Sequence, residues 1–173
     1  MKYIGISGFM GAGKSTVADM MKCELGCAEV LAMAKPIKDI AGIMGWNGKK
    51  DEKGRRLLQL IGTECGRECL YDNVWVDMWF RTVNAWPCHV RYAICDDIRF
   101  DNEAAGIIKA GGFIVLVTGR GELGRHKSEQ GISEANVTFE LDNKGSIYTL
   151  RSRVSALCEI ISTGAGQKGG DAE

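Results

Sequence analysis

Gly8-Phe9-Met10-Gly11-Ala12-Gly13-Lys14-Ser15-Thr16 fits G-x-x-x-x-G-K-[ST], the pattern of a loop that cradles phosphate with its own backbone. Glycines let consecutive N–H groups curl into a concave anion nest that no side chain obstructs. A helix beginning at the end of the loop adds the partial positive charge of its amino terminus. In such a loop Lys14 reaches the β- and γ-phosphates of a bound triphosphate, Ser15 places its hydroxyl on Mg²⁺, and Thr16 bonds the α-phosphate. Gly8, Gly11, Ala12, Gly13, Lys14, Ser15 and Thr16 are therefore the expected triphosphate-binding residues. The flanks supply the required order. Lys2 to Ser7 is a short apolar strand pattern, and Ser15 to Leu25 carries Val17, Met20, Met21 and Leu25 at helical spacing before Gly26.

A chain of 173 residues is long enough to bury about 70% of the surface it exposes when unfolded. We expect one domain over residues 1–162 and a flexible tail over 163–173. The 22 basic and 22 acidic residues cancel. A nucleic-acid polymer as main partner would call for a basic face, so a local basic cluster around a small phosphorylated ligand is the better expectation. No stretch approaches the roughly 20 apolar residues that span a bilayer. The amino terminus opens directly into the first strand pattern, and seven cysteines, an odd number, accompany it. Free thiols without an export signal point to a reducing, cytoplasmic setting.

Further strand patterns fall at 29–33, 90–95, 113–117 and 137–141, the last alternating and so placed at an edge. Helical patterns separate them at 34–41, 55–70, 73–85, 102–110 and 146–161. Residues 45–54 read as a polar, mobile loop. Strands that are apolar throughout and alternate with helices predict an α/β fold. The expected form is a three-layer αβα sandwich on a parallel five-stranded sheet, of the P-loop NTPase type. Ligands on such a sheet sit at the carboxyl ends of the strands, where the glycine loop lies.

Asp96 and Asp97 end the third strand pattern. A magnesium–nucleotide needs a nearby carboxylate, and a strand-end aspartate supplies one. Strand alternation through Asp97-Ile98-Arg99 favours Asp97 for the metal, with Arg99 on the same side; a helix N-cap is the competing role. In the 55–70 helix, Leu57, Leu58, Ile61, Cys65 and Cys69 form an apolar stripe expected to face the core. Arg55, Gln59, Gly62 and Gly66 form another face, with Thr63 and Arg67 alongside. Glycines inside a helix cost about 1 kcal/mol each relative to alanine. They read either as a smooth floor for a flat phosphorylated ligand or as a site of close helix approach. Trp75 opens its helix, where it is core by default or a platform for a base. Residues 119–131 hold Arg120, Arg125, His126 and Lys127 among glycines, which suits a lid over transferring phosphate as well as an ordinary charged loop. Cys23/Cys27 and Cys65/Cys69 stand four apart on helices and read as buried thiols rather than zinc ligands.

Several of these segments occur in one order that resembles the phage-type deoxynucleoside monophosphate kinases. They are Gly8 to Thr16, Lys38-Asp39, Arg55-Arg56-Leu57-Leu58-Gln59-x-x-Gly62-Thr63-Glu64, Trp75-Val76, Asp97-x-Arg99-Phe100-x-Asn102-Glu103, His126-x-Ser128-Glu129-x-Gly131 and Asn143-x-Gly145-Ser146. The resemblance spans nearly the whole chain and implies a nucleoside-monophosphate-kinase-like fold. It implies transfer of the γ-phosphoryl of ATP, with Mg²⁺, to a deoxynucleoside 5′-monophosphate. It also implies that Lys38, Asp39, Arg55, Gly62, Thr63, Trp75, Arg99 and Glu103 line the monophosphate site; the arginine–glycine face adds Arg67, and the strand end adds Asp97. Lys14, Arg99, Arg120 and Arg125 are the expected catalytic cations, and Ser15 and Asp97 the expected metal residues. Family members often come from phages and work in the host cytoplasm. The chain departs from some relatives in carrying Met10-Gly11 where they have basic residues, and in a short segment between Asp39 and Arg55.

Two other readings share the loop. One is a small-molecule kinase acting on a phosphorylated cofactor precursor. The other is a GTPase-type switch, whose D-x-x-G pattern occurs at Asp39 to Gly42 and Asp51 to Gly54 without a convincing preceding strand. Asn143-Lys144 also lacks the following aspartate of a guanine-reading element. Base preference and homodimer formation stay open at this level.

Overall fold

β1 (Lys2–Ser7) runs into the glycine loop, and α1 (Lys14–Leu25) begins at the loop's lysine. The computed structural model describes residues 1–121 and 131–164. The remaining elements follow in order: β2 (Ala28–Val30), α2 (Lys35–Ile43), α3 (Glu52–Gln59), a π-helical continuation (Leu60–Glu68), α4 (Val74–Asn84), β3 (Tyr92–Ile98), α5 (Asp101–Lys109), β4 (Phe113–Thr118), a 3₁₀ turn (Glu134–Asn136), β5 (Phe139–Asp142) and α6 (Ile147–Thr163). Residues 122–130, the greater part of the expected lid and the place of Arg125, lie outside the described residues. So does the tail from residue 165.

The five strands form one parallel sheet in the order β2-β3-β1-β4-β5. The α/β expectation with a parallel five-stranded sheet flanked by helices thus holds. β1 is central, so its carboxyl end, and the glycine loop with it, opens between the ends of β3 and β4. Alternation along the strands splits the apolar residues between two faces. Ile4, Ile6, Ile94, Val115 and Val117 meet Val17 and Met21 of α1 and Leu150, Val154, Leu157 and Ile161 of α6. Ala93, Cys95 and Ile114 face Val76, Trp79 and Val83 of α4 and Ala104 and Ile107 of α5. Trp79 is 1% exposed, and its indole N–H donates to Leu31 O at 2.7 Å. Ile147, the first residue of α6, is 55% exposed.

A third, smaller core joins Ile37 and Ala41 of α2 to Trp46, Leu57, Leu58, Ile61, Val74 and Trp75. The stretch read as a mobile loop is anchored here: the Trp46 indole donates to Lys49 O at 2.9 Å, and Asp51 caps α3 by accepting from Gly54 N at 2.8 Å. That cap starts α3 at Glu52, three residues ahead of the expected Arg55. β2 is shorter than its apolar run because the chain leaves the sheet after Leu31, whose N–H donates to Ile94 O. The next free amides, those of Met33 and Ala34, turn to the Asp97 carboxylate.

The expectation of buried thiols fails for both cysteine pairs. Cys23, Cys27, Cys65 and Cys69 are exposed, and so is Cys88. Cys95 and Cys158 are buried, and desolvation pushes the Cys158 thiol up to about 12. Among the described residues no group of three or more His, Cys, Asp or Glu side chains is placed to hold a metal. No described helix is long and apolar enough to cross a membrane.

Candidate functional site

The glycine loop is braced from beyond the end of the edge strand β5. Asn143, just beyond β5 and 8% exposed, donates from its amide to Ala12 O at 2.8 Å. Gly13 has φ +98°, and a Cβ there would stand 2.5 Å from the same amide nitrogen, so both the backbone and the neighbour require glycine. Lys14 folds back over the loop and donates to Gly8 O at 2.7 Å and Phe9 O at 2.9 Å. Burial, then the nearby Arg99 charge, lowers its pKa; Asp96 and Asp97 work in the other direction.

The two strand-end aspartates divide their work, and not along the expected line. Ser15 Oγ donates to Asp96 Oδ2 at 2.9 Å. Asp97 instead accepts from the backbone N–H groups of Met33 and Ala34, at 2.7 and 3.0 Å, and from the Cys95 thiol at 3.2 Å. Asp96 shares the strand face of Ile94, on which α1 packs, whereas Asp97 shares the opposite face with Cys95. Gly5 pairs with Cys95 and Ser7 with Ile98, so β3 carries one residue more than β1 across this step. The extra residue resets the side-chain alternation on which the assignment to Asp97 relied. Asp96 therefore carries the carboxylate beside Ser15, while Asp97 fastens the β2–α2 turn to the strand end.

A cleft of about 720 Å³ lies over the strand ends. From the loop side it is lined by Gly8, Gly11, Lys14 and Ser15, and from the strand ends by Asp96, Asp97 and Arg99. On the opposite wall stand Lys38, Arg55, Gly62, Thr63, Arg67, Trp75 and Glu103. Five cationic side chains of the sequence reading (Lys14, Lys38, Arg55, Arg67 and Arg99) thus face one space, with Lys50 as a sixth. Among the described arginines Arg67 is the most sequestered. Its side chain is 11% exposed, pairs with Glu103 at 2.5 Å, and stacks its guanidinium over the Phe100 ring at 4.1 Å. Its Nε and Nη1 atoms are buried and find no acceptor among the described residues. Leaving such a donor unmet costs about 1–3 kcal/mol. Glu103 is pushed towards a higher pKa by burial, against the pull of the Arg99 amide and the Arg67 charge.

The arginine–glycine face has a geometry that α-helical spacing misses. From Leu60 to Glu68 the helix widens to π form, seen directly where Cys69 N donates to Glu64 O, five residues back. With the wider turn, the residue that follows Ile61 into the core is Gly66, five residues on, rather than Cys65. Cys65 and Cys69 therefore face solvent, correcting the expected stripe, while Gln59, Thr63 and Arg67 line the cleft. Trp75 decides between the two roles weighed for the glycines. Its indole donates to Gly62 O at 2.7 Å, its ring covers Gly66, and it is 3% exposed. A Cβ at Gly66 would fall 2.5 Å from Trp75 Cζ2, so the glycine serves close packing. Gly66→Ala is expected to destabilise the chain by about 1–3 kcal/mol through overpacking, read as a fall in Tm of roughly 5 °C.

Other expected site residues stand elsewhere. Ala12 is in the core, and Thr16 is exposed on α1. Asp39 is exposed and pairs with Lys35 at 2.5 Å. Arg120 donates to Gly145 O at 2.6 Å and does not line the cleft. Lys50, Phe100 and Asn143 have no role assigned from the sequence alone, and Asp96 stands there beside Asp97 without being preferred for the metal. Asn143 carried a signal, since Asn143-x-Gly145-Ser146 was among the matching segments. Its role as a brace for the loop depends on a contact across 131 residues of chain.

Compared with curated proteins, a stretch of 116 residues is 28% identical to a deoxynucleoside-5′-monophosphate kinase of Escherichia phage T5. The match covers 61% of this chain and 46% of that protein, so the chain spans about half the length of the relative. No family model matches the chain.

Proposed function

We propose that this protein is a P-loop kinase that transfers the γ-phosphoryl of ATP to a deoxynucleoside 5′-monophosphate. The observation that carries this reading is a single cleft with two sets of anion-binding groups. The glycine loop with Lys14 forms one set, and Lys38, Arg55, Arg67 and Arg99 form the other. A nucleotide switch has no use for the second set; a two-substrate phosphotransferase does. The similarity to the phage kinase supports the choice of a deoxynucleoside monophosphate as acceptor.

The acceptor phosphate has a second pKa of about 6, so near pH 7 it is mostly the dianion and needs no strong base to activate it. What remains for the protein is positioning and charge compensation. Loop amides and Lys14 would hold the donor phosphates; Arg55 and Arg67 would hold the acceptor; Arg99, between them at the strand end, would meet the charge on the group in transit. Ser15 and Asp96 fit Mg²⁺, because a hydroxyl and a carboxylate 2.9 Å apart are hard oxygen donors of the kind that ion takes alongside substrate phosphates. When bound there, the ion would neutralise charge on the donor's β- and γ-oxygens. Asp97 would contribute by holding the α2 entrance, and with it the wall that bears Lys38.

A coupled ADP-release assay with ATP and each deoxy- and ribonucleoside monophosphate tests the reading. Turnover that depends on a monophosphate supports it, and ATP hydrolysis indifferent to all of them contradicts it. Within that assay, Arg55→Ala is expected to raise the acceptor KM about 10-fold or more, the worth of one charge-assisted hydrogen bond. The KM for ATP should stay within about 2-fold. An equal rise for both substrates would remove Arg55 from the acceptor site.

A further inference from the structure

We propose that Glu103 does not bind substrate and is instead a positioning residue, which, with Phe100, holds Arg67 as a preformed clamp for the acceptor phosphate. The assignment rests on the kinase reading above and refines one part of it. Glu103 lines the cleft, and the family resemblance groups it with the substrate contacts, but its carboxylate already accepts three hydrogen bonds from the protein. Oε1 accepts from Arg67 Nη2 at 2.5 Å. Oε2 accepts from the N–H groups of Arg99 and Phe100 at 2.8 and 3.2 Å. The residue is 3% exposed. A sugar hydroxyl would find only the remaining lone pair of Oε1, on a residue almost closed to solvent.

Arg67 shows the opposite condition. It is tied at Nη2 and stacked on Phe100 at 4.1 Å, and its Nε and Nη1 remain buried with no acceptor among the described residues. A guanidinium held this way has lost its rotamer freedom before ligand arrives, which is what preorganised recognition of an anion requires. Because Oε2 receives the Arg99 and Phe100 amides, one carboxylate fixes both the start of α5 and the Arg67 head group. A phosphate oxygen in the cleft supplies the acceptor that Arg67 lacks.

The test is a double-mutant cycle on the full chain, using Arg67→Gln, Glu103→Gln and both together. It reads kcat, both KM values and Tm. Loss of the clamp in Arg67→Gln should raise the acceptor KM about 100-fold, and loss of its orientation in Glu103→Gln about 10-fold. In the Arg67→Gln background, Glu103→Gln should add no more than about 2-fold, because a residue acting through another has nothing further to lose. The KM for ATP should remain within about 2-fold throughout. Multiplying effects, or an unchanged acceptor KM in Glu103→Gln while the wild type turns over, would overturn the assignment and leave the kinase reading standing. If Glu103→Gln does not fold, Phe100→Leu keeps the helix cap and removes the stacking surface. It should raise the acceptor KM by about 3-fold only when Arg67 is present. If the wild type shows no acceptor-dependent ADP release, the kinase reading falls. The same variants are then titrated with inorganic phosphate in a calorimeter, where weakened binding in the same order supports the clamp and equal affinities refute it.

Discussion

Lys14→Ala is expected to lower kcat by about 10³-fold while leaving the fold in place. Among the described residues the lysine is the one ammonium group bonded to the glycine loop itself, at 2.7 Å from Gly8 O and 2.9 Å from Phe9 O. Those carbonyls fix its head group at the mouth of the nest before any triphosphate arrives. Its pKa is already lowered, first by burial and then by Arg99, so an incoming anion stabilises an ammonium charge that burial disfavours. Removing it deletes a charge aimed at the oxygens where charge builds during transfer, and no neighbouring lysine bonds to the loop among the described residues. The fold should be little affected, because the loop is braced independently by Asn143. Single-turnover kinetics and a thermal melt would check both halves. A loss below about 10-fold would take Lys14 away from the transferring phosphate.

Asp96→Asn and Asp97→Asn should fail in different ways. Asp96→Asn keeps an oxygen for the Ser15 hydroxyl but loses the negative charge, so we expect a fall in kcat of about 10²-fold, a higher Mg²⁺ requirement and an unchanged Tm. Asp97→Asn presents an amide donor where two backbone N–H groups converge at 2.7 and 3.0 Å. One of those N–H groups is then left unmet at a cost of about 1–3 kcal/mol. Its signature should be a lowered Tm, with activity falling mainly through misplacement of α2. The pair is best measured together as kcat against Mg²⁺ and as chemical denaturation. A stable Asp97→Asn protein with the stronger Mg²⁺ defect would return the metal role to Asp97.

Local chemistry made much of this legible. A glycine loop between an apolar strand and a helix admits few folds, and Lys14 and Ser15 follow from its spacing. Arg55, Thr63, Arg67 and Arg99 could be gathered because each stood in a segment with a distinct pattern. What escaped was whatever depends on a register or a turn width. The choice between Asp96 and Asp97 turns on which face of the sheet α1 covers, and the extra residue in β3 breaks the Asp97-Ile98-Arg99 alternation that favoured Asp97. The outward turn of Cys65 and Cys69 depends on the π-helix, which their four-residue spacing cannot reveal. Asn143 and Phe100 act through contacts with Ala12 and Arg67 that are remote in sequence.

The central claim is direct transfer between two phosphates held in one cleft, and following the γ-phosphoryl itself tests it most closely. With ATP labelled at the γ-position, Mg²⁺ and the four deoxynucleoside monophosphates, label is expected on the β-position of a deoxynucleoside diphosphate, one per ADP formed. Label found only in inorganic phosphate, at a rate that no monophosphate changes, would contradict the account.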